Sequence, residues 1–229
     1  MNRNKKINHA VILAAGRGLR MMPFTNQFPK AMAPVNDSTL IKIGISNLRK
    51  SIKNIYITVG HKGSFLAKHV IEENVNAVIN TNEKDNAWFL FNTLIKNINE
   101  PVFVLTCDNI FQINLNKISE EYFNLNQPDC MIVPTNPIKG LAGDYIFKDK
   151  NLITKISRSK KSDIYCSGIQ ILNPAKINIK YSKSNNFKSL WNKIIINKKL
   201  TCSKYKPKFW YAVDTQKQLK DLIKIKYAK

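Results

Sequence analysis

The chain has 229 residues, 44% hydrophobic and 23% charged, enough for a substantial buried core and ordinary for a globular protein. No apolar run approaches the length of a membrane span. Four scattered cysteines (Cys107, Cys130, Cys166, Cys202), without a C-x-x-C pair or nearby histidines, exclude a zinc site or disulfide framework and read as reduced thiols of a cytoplasmic protein. The net charge of +22 comes from dispersed lysines with no aromatic-basic platform, so a general drift toward Lys, Asn and Ile accounts for it and nucleic acid is not expected as a partner.

In chain order, Arg3, Lys5 and Lys6 precede an apolar run that is too short for a signal peptide, and Ala10–Ala14 reads as the first strand. Further β-branched runs predict strands at Ile55–Val59, Ala77–Asn80, Val102–Cys107 and Cys130–Pro134. Helix-period segments between them predict helices at Thr39–Ser51, Ser64–Glu72, Ala87–Lys96 and Asn116–Leu125. This alternation defines an α/β fold, a three-layer, Rossmann-like, mostly parallel sheet covered on both faces. Shorter strands at Tyr145–Phe147, Ile153–Ile156 and Ser167–Leu172 indicate a small β-rich insertion. A helix at Phe187–Asn197, strands at Leu200–Tyr205 and Phe209–Val213, and a closing helix at Thr215–Tyr227 complete the chain. No repeat, low-complexity tract or linker divides it, so residues 1–229 read as one domain.

The most informative stretch is Leu13 to Lys30, LAAGRGLRMMPFTNQFPK. A strand running into Gly16 and Gly18 can turn backbone N–H groups toward an anion, and Arg17, Arg20 and Lys30 add charge suited to phosphates. A dinucleotide fingerprint would need a glycine where Met21 stands and a carboxylate after the second strand, where the chain has Gly60 and His61. A P-loop would need Gly-Lys-Ser/Thr, which is absent. The residues read as a triphosphate cradle. Ligands of such sheets bind beyond the carboxyl ends of the strands. Asp108, at the tip of the most apolar strand, is therefore a candidate Mg²⁺ ligand, its alternative role being a turn-former with Asn109. Asp214 stands at the tip of a second apolar run, as a metal ligand or as the N-cap of the closing helix.

The stretch resembles the signature of the nucleotidyltransferases that activate small phosphorylated metabolites, L-A-A-G-x-G-x-R-M-x-P-x-T-x-x-x-P-K, and meets every fixed position. The resemblance implies the nucleotide-diphospho-sugar transferase type of fold, with a nucleotide-binding half over about residues 1–135 and an acceptor-binding half with the closing helix over 136–229. It also implies Mg²⁺ on Asp108 and Asp214, the second lying in a segment similar to Y-A-V-D-T-Q-K-Q-L. Leu13, Ala14, Ala15, Gly16, Arg17, Gly18, Asn82, Asn86 and Thr106 would bind the nucleotide, and Arg20 and Lys30 would be catalytic. A phosphomonoester oxygen would attack the α-phosphorus of an NTP in line. It needs no general base, because its second pKa lies near about 6.

Two subfamilies are similar beyond the signature. Sugar 1-phosphate transferases, above all the N-acetylmuramate 1-phosphate uridylyltransferases, are similar at Gly143-Asp144 and Ser167-Gly168-Ile169, which implies acceptor-binding roles for Gly143, Asp144, Ser167 and Gly168. Two departures stand against them: Asp85 to Leu90 replaces the family's Gly-rich segment, and Ser157 to Lys160 replaces Glu-Lys-Pro. Phosphocholine-type cytidylyltransferases are similar at Asn86-Ala87-Trp88-Phe89 and Ala212 to Thr215. The expected partners are thus an NTP (UTP or CTP) and a phosphorylated small metabolite, a sugar 1-phosphate ahead of a phospho-amino-alcohol or phosphonate. A homo-oligomer is left open. The readings from other classes are a non-catalytic nucleotide-binding regulator and a nucleic-acid-binding protein.

Overall fold

The computed structural model describes residues 6–225. The first part of the chain forms β1 (His9–Ala14), a small hairpin of β2 (Pro34–Val35) and β3 (Ser38–Thr39), α1 (Leu40–Arg49), β4 (Asn54–Val59), α2 (Gly63–Ile71), β5 (Ala77–Asn80), α3 (Phe89–Asn92) and β6 (Val102–Thr106). Then come β7 (Asn109–Gln112), α4 (Leu115–Asn124), β8 (Cys130–Thr135), β9 (Tyr145–Asp149), β10 (Leu152–Ser157) and β11 (Tyr165–Leu172). The chain continues through α5 (Pro174–Lys180), α6 (Phe187–Ile196), β12 (Leu200–Cys202), β13 (Phe209–Ala212) and α7 (Gln216–Lys224).

Nine strands make one sheet in the order β5-β4-β1-β6-β11-β8-β12-β10-β9. The sheet is mixed but mostly parallel: only β11 and β10 run against the other seven. Alternation along each strand divides its apolar residues between two faces. Ile12, Ile57, Leu105 and Val133 pack under α1, α2 and α4 through Ile41, Leu66 and Ile118. Val11, Val104, Ile132 and Leu172 pack on the other face against Phe89, Ile177 and Leu190 of α3, α5 and α6. Burial on both faces explains why the central strands read as unbroken hydrophobic runs, and the three layers are those expected.

The differences are local. The helix expected at Ala87–Lys96 is a four-residue turn of α3 followed by a 3-10 turn at Leu94–Asn97. Thr93 leaves the helical region (φ −123°, ψ 178°) and its hydroxyl accepts from the Ile95 amide, starting the second turn. Helix α5 was not expected, although Asn173 caps it by accepting from the Lys176 amide and Pro174 stands at its first turn. The β-rich stretch joins the main sheet: β9 and β10 form its outer hairpin, while β11 runs back between β6 and β8. Strand β7 was also unexpected. The closing helix ends at Lys224, and residues 226–227 of the expected span lie outside the described residues.

Candidate active site

The loop leaving β1 is held in a tight fold by its own side chains. Gly18 has φ +63°, and a Cβ there would stand 2.8 Å from Lys30 Cβ, so only glycine fits. Thr25 Oγ1 donates to the Gly18 carbonyl at 3.1 Å. Met21 is fully buried in a third, smaller core with Leu40, Ile110, Val213 and Leu222, which anchors the loop and sends Arg20 outward.

The two carboxylates meet through a strand pair outside the main sheet. β13 runs antiparallel to β7 with Ala212 opposite Asn109, and the Val213 amide donates to the Asp108 carbonyl at 2.9 Å. Asp108 and Asp214 therefore leave adjacent strand ends side by side. Lys30 Nζ donates to Asp108 Oδ2 at 2.7 Å and to Asp214 Oδ1 at 2.8 Å, and Arg20 pairs with the same Asp214 oxygen at 2.9 Å. Burial works to lower the Lys30 pKa, but the two carboxylates outweigh it and hold the ammonium above its ordinary value. Asp214 is not the cap of α7. Thr215 takes that place, in a reciprocal box with Gln218, and the Asp214 carboxylate is left to face the site.

Three cavities adjoin this cluster or the glycine loop beside it. One of about 530 Å³ is lined by Leu13, Ala14, Gly16, Arg17, Gly18, Arg20, Lys30 and Thr106. A second of about 310 Å³ lies past Ala15 and Gly16 at the tips of β4 and β5, with Thr58, Thr81, Lys84 and Asn86. A third of about 290 Å³ extends from Asp108 and Asp214 to Gly143, Asp144 and Gly168. Among the described residues no histidine lines any of the three. Cys107 borders the first, but burial, with the Asp108 charge beside it, pushes its thiol up to about 12, so it is no nucleophile near neutrality.

Two predicted site residues stand apart from these cavities. Asn82 stays outside all three cavities, in an exposed turn where its amide donates to Asn80 Oδ1; Thr81 and Lys84 line the cavity in its place. Ser167 is fully buried and turns its hydroxyl to the Val133 carbonyl. Its own carbonyl receives Asn109 Nδ2 at 2.8 Å and Trp210 Nε1 at 2.7 Å, so it ties β7 and β13 to β11 instead of meeting a ligand. Sequence reasoning left out Gln170, which stands with Arg158 and Trp191 on the wall of the third cavity. The period of two along β11, with Gly168 and Gln170 on one face, was the available signal for Gln170.

Asp108 and Asp214 offer hard carboxylate oxygens, the donors Mg²⁺ takes together with phosphate oxygens and water, so the residues present fit that ion.

The nucleotidyl transferase family model matches residues 9–194, and the chain belongs to that family. It is 33% identical to the choline-phosphate cytidylyltransferase of Streptococcus pneumoniae over 53% of this chain and 55% of that protein. It is 29% identical to the 2-aminoethylphosphonate cytidylyltransferase of Lancefieldella rimae, over 71% and 65%. It is 26% identical to the bifunctional protein GlmU of Methanococcus aeolicus, over 70% of this chain and 39% of that protein. The matches thus span only about four to six and a half tenths of these relatives' own lengths. In fold, the chain is similar to a putative glucose-1-phosphate thymidylyltransferase from Bacillus anthracis, with a TM-score of 0.80 at 20% identity over 96% of this chain and 97% of that one. The inositol-1-phosphate CTP transferase from T. maritima gives a TM-score of 0.78 at 17% identity, over 97% and 98%. No helix among the described residues is long and apolar enough to cross a membrane.

Proposed function

We propose that the protein transfers a nucleoside monophosphate from an NTP, UTP or CTP, to a phosphorylated small metabolite, and that pyrophosphate leaves. The observation that carries this is Lys30, held between two strand-tip carboxylates beside the glycine loop. The loop from Leu13 to Gly18 receives the triphosphate and the cavity beside Asn86 the base, while Arg20 neutralises the departing pyrophosphate. Lys30 draws the α-phosphate and the attacking phosphate together, so that rate comes from positioning and charge neutralisation. Mg²⁺ held by Asp108 and Asp214 supplies further neutralisation of the phosphate charge when bound. Gly143, Asp144 and Gly168 bound the acceptor. Residues 1–135 then act as the nucleotide half and 136–229 as the acceptor half of one cytoplasmic domain.

The acceptor we place first is a sugar 1-phosphate. The second reading, a phospho-amino-alcohol or aminophosphonate, is favoured by the names of two relatives. The test is pyrophosphate release with Mg²⁺, crossing four NTPs with sugar 1-phosphates, phosphocholine, phosphoethanolamine and 2-aminoethylphosphonate. Release with one NTP and one acceptor supports the reading. NTP binding with no release from any acceptor would leave a nucleotide-binding regulator instead. RNA binding with a steep salt slope, untouched by Lys30→Ala, would favour the nucleic-acid reading.

A further inference from the structure

The third cavity has a floor made by three neighbouring strands. Gln170 of β11 stands opposite Val104 of β6 and Ile132 of β8, all on the face covered by α6. Val104 and Ile132 are apolar, but Gln170 is a primary amide only 6% exposed. Its Oε1 accepts from Trp191 Nε1 at 2.8 Å and from Cys130 Sγ at 3.3 Å. An indole N–H can only donate, so the amide has one orientation: oxygen to Trp191, nitrogen away from it. Among the described residues Nε2 has no hydrogen-bond partner, and no fully buried side-chain nitrogen is left without one. The –NH₂ group therefore opens into the cavity that Gln170 lines. A buried donor left unpaired costs stability, and a ligand oxygen can supply the missing partner.

We propose that Gln170, set by Trp191, selects the acceptor by donating to an uncharged oxygen, hydroxyl or carbonyl, on the part of the molecule remote from its phosphate. This rests on the transferase reading and decides between its two acceptor classes. A trimethylammonium group has no lone pair to offer and would bury the N–H edge against a positive charge. The aromatic rings nearby are packed on one another instead of standing as separate walls around a cation. Phe187 and Trp191 lie against each other with centroids 5.9 Å apart, and Trp210 packs on Tyr165 at 5.4 Å. At the rim the Asp144 carboxylate already has a cation beside it, Arg158 at 3.9 Å. A site built to donate to an oxygen rejects an analogue that lacks it.

The experiment measures pyrophosphate release from wild type, Gln170→Met and Trp191→Phe. The acceptors are glucose 1-phosphate, N-acetylglucosamine 1-phosphate, phosphocholine and phosphoethanolamine, with thermal unfolding as the folding control. The wild type is expected to use an oxygen-bearing acceptor far better than either amine. Methionine at 170 keeps the length of the side chain and removes the N–H donor, where a carboxylate would still accept from a hydroxyl. It should raise KM for the sugar 1-phosphate by about ten-fold, the worth of one hydrogen bond, and raise KM for the amines not at all. Trp191→Phe keeps the ring but frees the amide, and should raise the sugar KM several-fold with the NTP KM unchanged. A wild type that prefers an amine overturns the proposal, as does an unchanged sugar KM in Gln170→Met. Should that variant fail to fold, an unchanged sugar KM in Trp191→Phe does the same. Silence with every acceptor overturns the transferase reading itself, and the role of Gln170 with it.

Discussion

The Val213 amide donates to the Asp108 carbonyl at 2.9 Å, and that one backbone bond sets Asp214, the next residue, beside Asp108 across 106 positions of sequence. The bond continues the β7–β13 ladder, so the alignment of the two carboxylates is a property of strand register and not of their own attraction. Lys30, delivered by the loop after β1, then joins both.

If both carboxylates neutralise and position phosphate oxygens, Asp108→Asn and Asp214→Asn should each lower kcat by about 10²–10³-fold while the protein stays folded. Pyrophosphate release and thermal unfolding check this together. Near-normal turnover in either variant would remove that residue from the site.

Lys30→Ala should cost turnover on the same scale, and Lys30→Arg should not restore it. A planar guanidinium cannot replace a compact ammonium between two carboxylate oxygens. Single-turnover kinetics with saturating NTP separate this loss from weaker binding.

The raised Lys30 pKa also makes a statement about stability. A cation whose folded pKa lies above its unfolded value of 10.5 stabilises fully below that value, and the contribution is lost as pH rises through the folded value. The stability difference between wild type and Lys30→Met should therefore be flat from about pH 6 to about pH 9 and shrink above the ordinary lysine value. Chemical unfolding across that series measures it; a difference that falls already between pH 6 and pH 9 would contradict the pairing.

Gly168 has φ +80°, and a Cβ there would stand 2.1 Å from Asn109 Nδ2 and 2.6 Å from Thr106 Oγ1. Gly168→Ala should destabilise by about 2–4 kcal/mol, since both the backbone and the Asn109 bridge to Ser167 must give way. A midpoint unchanged in urea would show that the bridge moves freely.

Cys107 should resist alkylation in the native protein near pH 8, because burial and the adjacent Asp108 keep its thiol protonated up to about 12. Labelling with iodoacetamide before and after unfolding tests this. Rapid native labelling at Cys107 would contradict the raised thiol pKa.

The sequence by itself determined the layers and the glycine loop after the first strand. Both are local: β-branched runs at Ala10–Ala14 and Val102–Cys107 need only their own composition to be read, and the residues from Leu13 to Lys30 fold mostly on themselves. Asp108 and Asp214 were legible as strand-tip carboxylates for the same reason. Their adjacency was not, because β7 is four residues long and pairs with a strand about a hundred positions away. Ser167 was placed in the acceptor set by its neighbours in sequence, yet the irregular register of β11 against β8 between Cys166 and Ile169 turns its side chain into the core. Gln170 looked like an ordinary polar residue in a strand. Only the docking of α6, which brings Trp191 Nε1 to its oxygen, decided which way its amide faces and what it can ask of a ligand. Contacts between elements distant in sequence depend on register and crossing geometry, which no local pattern of residues records.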